Sequence, residues 1–355
     1  MFRVDYHWDR LKTCVVGITY PPEHFSWVTD PNIRSSLERL VQETEEDFQK
    51  LIALLQSFGV QIVRPLLPEE GQHLMKPVIA PRDHMAMIGD RFFCDVGDFT
   101  ASGSRQRQMA PIINLVRDQG NEVIINQGIN SAEVIRLGKD LYWSYPEEHL
   151  PVIDMFEKGK QNLDYRKYNK IISMLNYHNK HDKIKERFEN KIQSLFKDYN
   201  NHFLGVEGHI DGCVVALMNN LMLVRGDIDD YYTRATDVHF PGWHKITMYP
   251  TDVGLKDPAI AHSKKWWIQG KEIDHALTDF IDYYMNHWTN DISETIFAAN
   301  TLIIDSKNVV CVGYTDEVLK AYQDRGITPH VIDFRHRYFW DGGIHCITAD
   351  LDRGD

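Results

Sequence analysis

Residues 84–94 read HMAMIGDRFFC, two short apolar runs separated by a tight Gly-Asp turn. Glycine supplies the positive φ that a two-residue hairpin loop requires, so this stretch predicts a β-hairpin. The same design recurs three times, with turns at residues 138–139, at residues 219–220 and within residues 305–308. A pattern that appears four times in one chain indicates a repeat architecture rather than one open sheet.

Helices are predicted between the hairpins, over residues 36–58, 105–119 and 316–325. Each has apolar residues at helical spacing, stops at a glycine and leads into a further apolar strand. Two strands have no hairpin of their own, residues 13–19 and 344–351, and together they would complete a fifth unit. We therefore predict an α/β fold of five units closed into a ring, because closure buries sheet edges that would otherwise be exposed.

One segment does not match the predicted repeat. Residues 164–199 are rich in Lys, Asn and Tyr and carry apolar residues at helical spacing. We interpret them as part of a helical insertion around residues 150–200 that packs over one end of the molecule. A substrate lid is the alternative interpretation of the same segment.

Composition narrows the class of protein. The chain has 355 residues, enough for a large core, and we expect a single domain over residues 1–355. A formal net charge of −12 argues against a nucleic-acid partner. The sequence contains no run of 18 apolar residues, so no membrane-spanning helix is predicted. The first residues also lack the apolar region of a signal peptide. Five scattered cysteines, none in a CxxC pair, favour reduced thiols and a cytoplasmic location.

Acidic residues occupy equivalent positions in the predicted units. Asp83 and Glu133 directly precede the first strands of two hairpins, and Asp211 precedes a third by one further residue. Equivalent positions in a ring converge on its axis, so these carboxylates are expected to meet at one mouth of the fold. Cys346, at the start of the final strand, would join them. His209 lies on the same side of an extended chain as Asp211.

Clustered carboxylates repel one another unless a cation satisfies them. A guanidinium is such a cation, because it is planar, permanently charged and donates in a fork that matches carboxylates. A cysteine beside it would favour the reactive thiolate, and a nearby histidine could protonate a departing amine. This set of residues is therefore suited to nucleophilic attack on the carbon of a guanidinium.

Each candidate also has a simpler interpretation. Cys346 could be a small buried hydrophobe, although the glycines before it permit close approach to the backbone. His209 and Asp211 could be metal ligands, but no HExxH or Cys/His cluster supplies further ligands. Asp83 could form a plain ion pair with Arg82, and Glu133 could be a solvated turn acid.

Three motifs resemble a known family, the arginine-dependent amidinotransferases typified by arginine:glycine amidinotransferase. The motifs are PRD at residues 81–83, EGHID at residues 207–211 and GGIHCIT at residues 342–348, in the order found in that family. The resemblance implies a pentein fold, a five-bladed α/β propeller with five-fold pseudosymmetry. It also implies that Cys346 is the nucleophile and His209 the general acid and base.

The resemblance extends to substrate binding. It implies that Asp83 and Asp211 bind the guanidinium, while Glu133 stands where the family has an aspartate that partners the catalytic histidine. Arg225 lies in the segment expected to bind the substrate carboxylate. The implied substrates are L-arginine and an acceptor amine, by default glycine, with ornithine and guanidinoacetate as products. No metal or organic cofactor is implied, and a homodimer is compatible with the sequence.

Two rival functions use the same residues. A guanidine hydrolase, similar to arginine deiminase, would use water as the acceptor and release a ureido product. A pentein without catalytic activity would only bind a guanidino ligand. A metal-dependent hydrolase is a third alternative, and it depends on His209 and Asp211 being metal ligands.

Overall fold

The computed structural model describes residues 1–68, 75–96, 104–146, 183–226, 231–249, 266–271, 274–289 and 297–354. The strands are β1 Leu11–Val16, β2 Gln61–Val63, β3 Met85–Ile88, β4 Arg91–Cys94, β5 Glu122–Ile125, β6 Val134–Leu137, β7 Asp140–Tyr145, β8 Asn200–Glu207, β9 Val214–Met218, β10 Leu221–Arg225, β11 His244–Met248, β12 Leu302–Asp305, β13 Asn308–Cys311, β14 Thr328–Val331 and β15 Thr348–Arg353. The helices are α1 Pro31–Ser57, α2 Ser104–Asp118, α3 over residues 183–195, α4 Tyr231–His239, α5 His275–Tyr284, α6 Asp316–Gln323 and α7 Arg337–Trp340.

The described strands form five three-stranded sheets that share one plan. In each sheet the middle strand is antiparallel to one neighbour and parallel to the other. The antiparallel partner comes from a hairpin in four sheets, and the parallel partner follows a helix. This plan confirms the four predicted hairpins and the repeat of hairpin, helix and strand. Closure of the five sheets into a ring stays a prediction.

The first hairpin shows how the turn residues set the register. Gly89 has φ of 58° in the loop between β3 and β4, a value that L side chains rarely adopt. The pairing runs from Met85 opposite Cys94 to Ile88 opposite Arg91 without a bulge. The side chain of Tyr199 also approaches Gly89 so closely that a Cβ there would clash with the tyrosine hydroxyl. Glycine at this position therefore serves both the turn and the packing.

The fifth sheet joins strands that are far apart in the sequence. β15 pairs antiparallel with β1, and β1 pairs parallel with β2 after helix α1. The side chain of Asp30 caps α1 by accepting hydrogen bonds from two backbone N–H groups, and Gly59 follows its end with φ of 78°. The predicted fifth unit is therefore present. Its last strand begins at Thr348, so Cys346 lies in the turn before the strand rather than within it.

The expected insertion around residues 150–200 belongs in part to the repeat. Helix α3 connects β7 to β8, and these two strands are parallel, which is the plan of the other sheets. Phe188 and Ile192 of α3, together with Phe196 directly after it, share one buried apolar cluster with Trp143. Residues 183–199 are therefore the second unit's own helix and its link to β8, and the earlier part of the predicted insertion, up to residue 182, lies outside the described residues.

Two regions were not anticipated from the sequence. Helix α4 and strand β11 complete the third unit, with β11 parallel to β10. Residues 266–271 and 274–289 include α5 and lie outside the five-unit plan. Leu277 and Ile281 of α5 join the apolar residues of α1 in the largest core cluster. This packing places an additional helix over the fifth unit.

Charged residues also occupy the interior. Asp350 of β15 receives two hydrogen bonds of 2.8 Å from Arg136 and one of 2.7 Å from Arg353. All three side chains are almost fully buried. The two guanidinium groups outweigh the effect of burial and hold the pKa of Asp350 well below its ordinary value. All five cysteines are buried and none of them forms a disulfide bond. No helix of the described chain is both long and apolar enough to cross a membrane.

Replacing Asp350 by asparagine is expected to lower the free energy of unfolding by about 3 to 5 kcal/mol, because Arg136 and Arg353 would stay buried without their counter-charge. Asp352→Asn on the same strand is the matched control, since Asp352 accepts an exposed hydrogen bond from the Arg3 backbone. Urea denaturation measures both variants. Equal losses in the two variants would contradict a special role for the buried ion group.

Candidate active site

Arg82 organises the candidate site from beneath. Its side chain is fully buried, and its Nε donates to the carbonyl oxygens of His345 at 2.9 Å and Thr348 at 3.1 Å. These carbonyls lie on either side of Cys346 in the chain. The Nη1 atom donates to the carbonyl of Ser131 at 3.4 Å, two residues before Glu133. One guanidinium thus ties the cysteine turn to the segment that carries Glu133.

The same guanidinium pairs with Asp211, not with its neighbour Asp83. Nε of Arg82 lies 3.1 Å from Oδ2 of Asp211, and Nδ1 of His345 lies 3.2 Å from that oxygen. Burial would raise the pKa of Asp211, but Arg82 and His345 outweigh it and the pKa is lowered. Burial and the Arg82 cation lower the pKa of His345. Asp211 is therefore an ionised carboxylate in a buried position.

His209 lies among the carboxylates. Its Nδ1 is 3.8 Å from Oδ1 of Asp83, and its side chain is 47% exposed although protein atoms surround it on most sides. That combination is typical of a cleft. Burial would lower the pKa of His209, but the carboxylates of Asp83, Asp211 and Glu133 outweigh it and raise the pKa. The imidazole is therefore favoured in its protonated form.

The pKa values of Asp83 and Glu133 are shifted in the opposite direction from that of Asp211. Burial raises the pKa of Asp83, and it raises the pKa of Glu133 to about 7. The positive charge of His209 acts in the opposite direction on both carboxyls. The backbone N–H of Glu133 donates to the Asn130 side chain, which fixes the short turn that presents this residue. Glu133 therefore titrates near neutral pH, and a bound cation would favour the carboxylate forms of both Glu133 and Asp83.

Cys346 lies in a tight turn that follows α7. That helix ends at Asp341 in the left-handed conformation, with φ of 50°, and two glycines follow. A Cβ on Gly342 would lie 2.9 Å from the Cys346 Cβ, and one on Gly343 would lie 2.6 Å from the Asn300 Cβ. The glycines therefore allow the turn to pack closely on protein atoms. The Cys346 residue is 5% exposed.

Asn300 contacts Cys346 twice. Its Oδ1 accepts a hydrogen bond from the Cys346 N–H at 3.0 Å, and its Nδ2 donates to the thiol sulfur at 2.9 Å. Sequence reasoning did not select this residue, because a single asparagine before a strand carries no recognisable signal. It also missed Lys76 and Asp341, whose charges act on Asp83 and His209 respectively.

The structure brings five of the six predicted site residues into one region: Asp83, Glu133, His209, Asp211 and Cys346. The sixth predicted residue, Arg225, contacts Cys213 and Tyr232 instead. Its backbone N–H donates to the Cys213 carbonyl at 2.7 Å, and its guanidinium lies 5.8 Å from the ring centre of Tyr232. A role for Arg225 in the site stays a prediction. Among the described residues, no group of three or more His, Cys, Asp or Glu side chains is arranged to hold a metal ion.

Asp83→Asn is expected to lower the pKa of His209 by roughly one pH unit, because the nearest carboxylate that favours the imidazolium is removed. Asp341→Asn is the control and should have a smaller effect, since Asp341 contributes least among the carboxylates that raise this pKa. NMR titration of the His209 ring measures both. An unchanged or higher pKa in Asp83→Asn would contradict the electrostatic description.

Comparison with known proteins gives a result at the level of structure alone. No family model matches the chain, and no curated protein sequence matches it significantly. The inosamine-phosphate amidinotransferase StrB1 of Streptomyces griseus has a TM-score of 0.61 and 17% identity, with 99% of this chain and 97% of that chain covered. The amidinotransferase SxtG of Microseira wollei, from the saxitoxin biosynthetic pathway, has a TM-score of 0.57 and 15% identity over 99% and 97% of the two chains.

A third similar structure carries a different activity in its name. The agmatine deiminase of C. jejuni has a TM-score of 0.56 and 10% identity, with 100% of this chain and 97% of that chain covered. Identities this low establish a shared fold. All three enzymes belong to the pentein superfamily. The chain therefore has the mixed α/β fold of the pentein structures.

Proposed function

We propose that the protein is an amidinotransferase that moves the amidino group of L-arginine to an acceptor amine through a covalent intermediate on Cys346. One observation carries the proposal. Oδ1 of Asp83 and Oδ1 of Asp211 are buried and accept no hydrogen bond from the described residues. A buried acceptor that lacks a donor lowers the stability of the protein, so these oxygens are suited to bind a cationic ligand that donates hydrogen bonds. A guanidinium meets both demands.

The electrostatics support the same ligand. Asp211 is ionised in the free protein, whereas Asp83 and Glu133 have raised pKa values. A bound guanidinium would favour the carboxylate forms of the last two, so that three carboxylates would surround one planar cation. Arg82 would hold the Asp211 carboxylate in place, because its Nε lies 3.1 Å from Asp211 while Nε and Nη1 also donate to backbone carbonyls.

In the first half-reaction the Cys346 thiolate attacks the guanidinium carbon and a C–S bond forms. The resulting tetrahedral adduct is neutral. His209, which starts as the imidazolium, gives its proton to the amine nitrogen, and the C–N bond breaks. Ornithine leaves, and a positively charged amidino group stays on the sulfur. The raised pKa of His209 suits this initial role as an acid.

In the second half-reaction the acceptor amine attacks the amidino carbon. Neutral His209 takes a proton from that amine, the C–S bond breaks and the thiolate is regenerated. The imidazolium is regenerated at the same time, so atoms and charges balance over the cycle. Glycine is the default acceptor and would give guanidinoacetate. Arg225 would contact the carboxylate of a substrate.

The proposal covers the whole chain as one catalytic domain, residues 1–355, with its five sheets closed into a propeller. The five cysteines, none of which forms a disulfide bond, support a cytoplasmic location. Two amidinotransferases with the same fold support transfer chemistry. A homodimer is compatible with the proposal and is not needed for it.

A guanidine hydrolase is the second candidate, because a deiminase also has this fold. It would use the same thiolate and the same histidine, with water in place of the acceptor amine. The two candidates differ in the products formed from L-arginine. Transfer releases ornithine, whereas deimination releases ammonia and citrulline.

Brief incubation with L-arginine is expected to add about 42 Da to the intact protein, the mass of an amidino group that replaces a hydrogen on Cys346. Ornithine should appear in equal amount. Cys346→Ala should abolish both signals while the protein stays folded, and Cys311→Ala, a buried cysteine of β13, is the matched control that should keep them. Intact-mass spectrometry and amino-acid analysis measure the result. Citrulline instead of ornithine would establish the hydrolase, and adduct formation in Cys346→Ala would refute the covalent role of Cys346.

Binding of L-arginine to a Cys346→Ser variant is expected to release protons and to strengthen as pH rises between about 6 and 8. The sign follows from the charges: the free protein holds Glu133 with a pKa of about 7, and a bound cation favours its carboxylate form. His209 would also lose its proton more easily beside a guanidinium. Titration calorimetry in two buffers of different ionisation enthalpy measures the proton release.

Glu133→Gln in the same background is the matched comparison. It should reduce the proton release and flatten the pH dependence, leaving the share that comes from His209. Proton uptake on binding, or equal release from both variants, would contradict the placement of the guanidinium beside Glu133.

A further inference from the structure

The side chain of Asn300 is fully buried and directed at the proposed nucleophile. It lies just before β12, in the fourth unit of the repeat, whereas Cys346 lies in the fifth. Two amide atoms and the backbone carbonyl of Asn300 all meet the cysteine turn, since the His345 N–H also approaches the Asn300 carbonyl at 3.4 Å. A buried asparagine whose side-chain amide and backbone carbonyl contact the same turn has a specific role there.

The direction of the amide follows from its partners. A backbone N–H can only donate, so the amide atom that faces the Cys346 N–H must be the oxygen. The nitrogen therefore faces the sulfur, at 2.9 Å, and donates to it. Gly343 makes this arrangement feasible, because a Cβ at that position would lie 2.6 Å from the Asn300 Cβ. The second glycine of the motif thus makes room for Asn300.

Several charged groups surround the turn. Arg82 donates to the carbonyls on both sides of Cys346, and Asp211 with His345 forms the buried pair below it. Asp341 ends the helix that leads into the turn. The cation favours a thiolate and the carboxylates oppose it. The amide of Asn300 adds a donor that points at the sulfur itself.

We propose that Asn300 is a positioning residue that fixes the Cys346 side chain and stabilises its thiolate by a hydrogen bond. The consequence for catalysis rests on the proposed function. The sulfur of an amidino-cysteine is a poor acceptor, so the hydrogen bond regains its strength when the thiolate leaves in the second half-reaction. Asn300 therefore promotes the departure of the thiolate more than its attack.

Two variants distinguish the hydrogen bond that Asn300 donates to the sulfur from the one that it accepts from the Cys346 N–H. Asn300→Asp keeps the oxygen that accepts from the Cys346 N–H and loses the N–H that donates to sulfur. Asn300→Ala loses both. The rate of iodoacetamide alkylation at a series of pH values measures the fraction of each cysteine that is present as thiolate. Mass spectrometry quantifies each cysteine separately, and no substrate is needed.

The midpoint for Cys346 alkylation is expected to rise by about one pH unit in both variants, since a hydrogen bond to a charged group changes proton affinity roughly tenfold. The rise should be larger in Asn300→Asp, which puts a carboxylate against the sulfur. An unchanged midpoint in a folded variant would overturn the proposal. Burial raises the pKa of Cys14 and Cys94 to about 12, so slow alkylation of these two thiols reports that a variant is folded.

The unaltered protein provides a test that does not depend on how the variants fold. Cys346 should be alkylated with a midpoint below that of the same cysteine in the urea-unfolded chain, and equal midpoints would overturn the proposal. A separate measurement tests the catalytic consequence. With L-arginine and an acceptor amine present, the steady-state fraction of amidino-cysteine should be higher in Asn300→Ala than in the unaltered protein. If no adduct forms in either protein, the proposed function fails while the alkylation result for Asn300 still stands.

Discussion

The candidate site depends on one buried guanidinium. Arg82 neutralises Asp211 and holds the carbonyls on both sides of Cys346, and it also reaches the segment before Glu133. These contacts join four different units, including that of Arg82 itself. Removing a charge from the interior leaves its partners unsatisfied, so such a residue controls the geometry of everything it touches. Arg82 thus explains how side chains on separate sheets keep fixed positions while the cleft above them stays accessible.

Much of the repeat was predictable from local chemistry. The four hairpins follow from short apolar runs on both sides of polar turns that contain Gly or Asn, and each was found at the expected place. The last strand of the fourth unit includes the polar residues Thr328 and His330, because pairing with β13 rather than apolar content sets its limits. Helix α3 was interpreted as part of an insertion, since a long polar segment precedes it and only the parallel pairing of β8 reveals its place in the repeat.

The site was predictable where equivalent positions repeat and unpredictable where partners come from distant segments. Asp83, Glu133 and Asp211 share a place before their strands, so their convergence followed from the pattern. Arg82 seemed paired with its neighbour Asp83, and only the tertiary structure shows that it turns to Asp211 instead. Asn300 meets Cys346 across two units, and no local pattern could have indicated that contact.

The pairing of β15 with β1 has a consequence for how the chain folds during its synthesis. During synthesis the strand that completes the fifth sheet leaves the ribosome after every other described strand. Until then Arg136 lacks its counter-charge on Asp350, and the cysteine that would react is not yet in place. Contacts between residues so distant in sequence form late and slowly. An unfinished chain would therefore be both unstable and inert, so that reactivity arises only together with the complete fold.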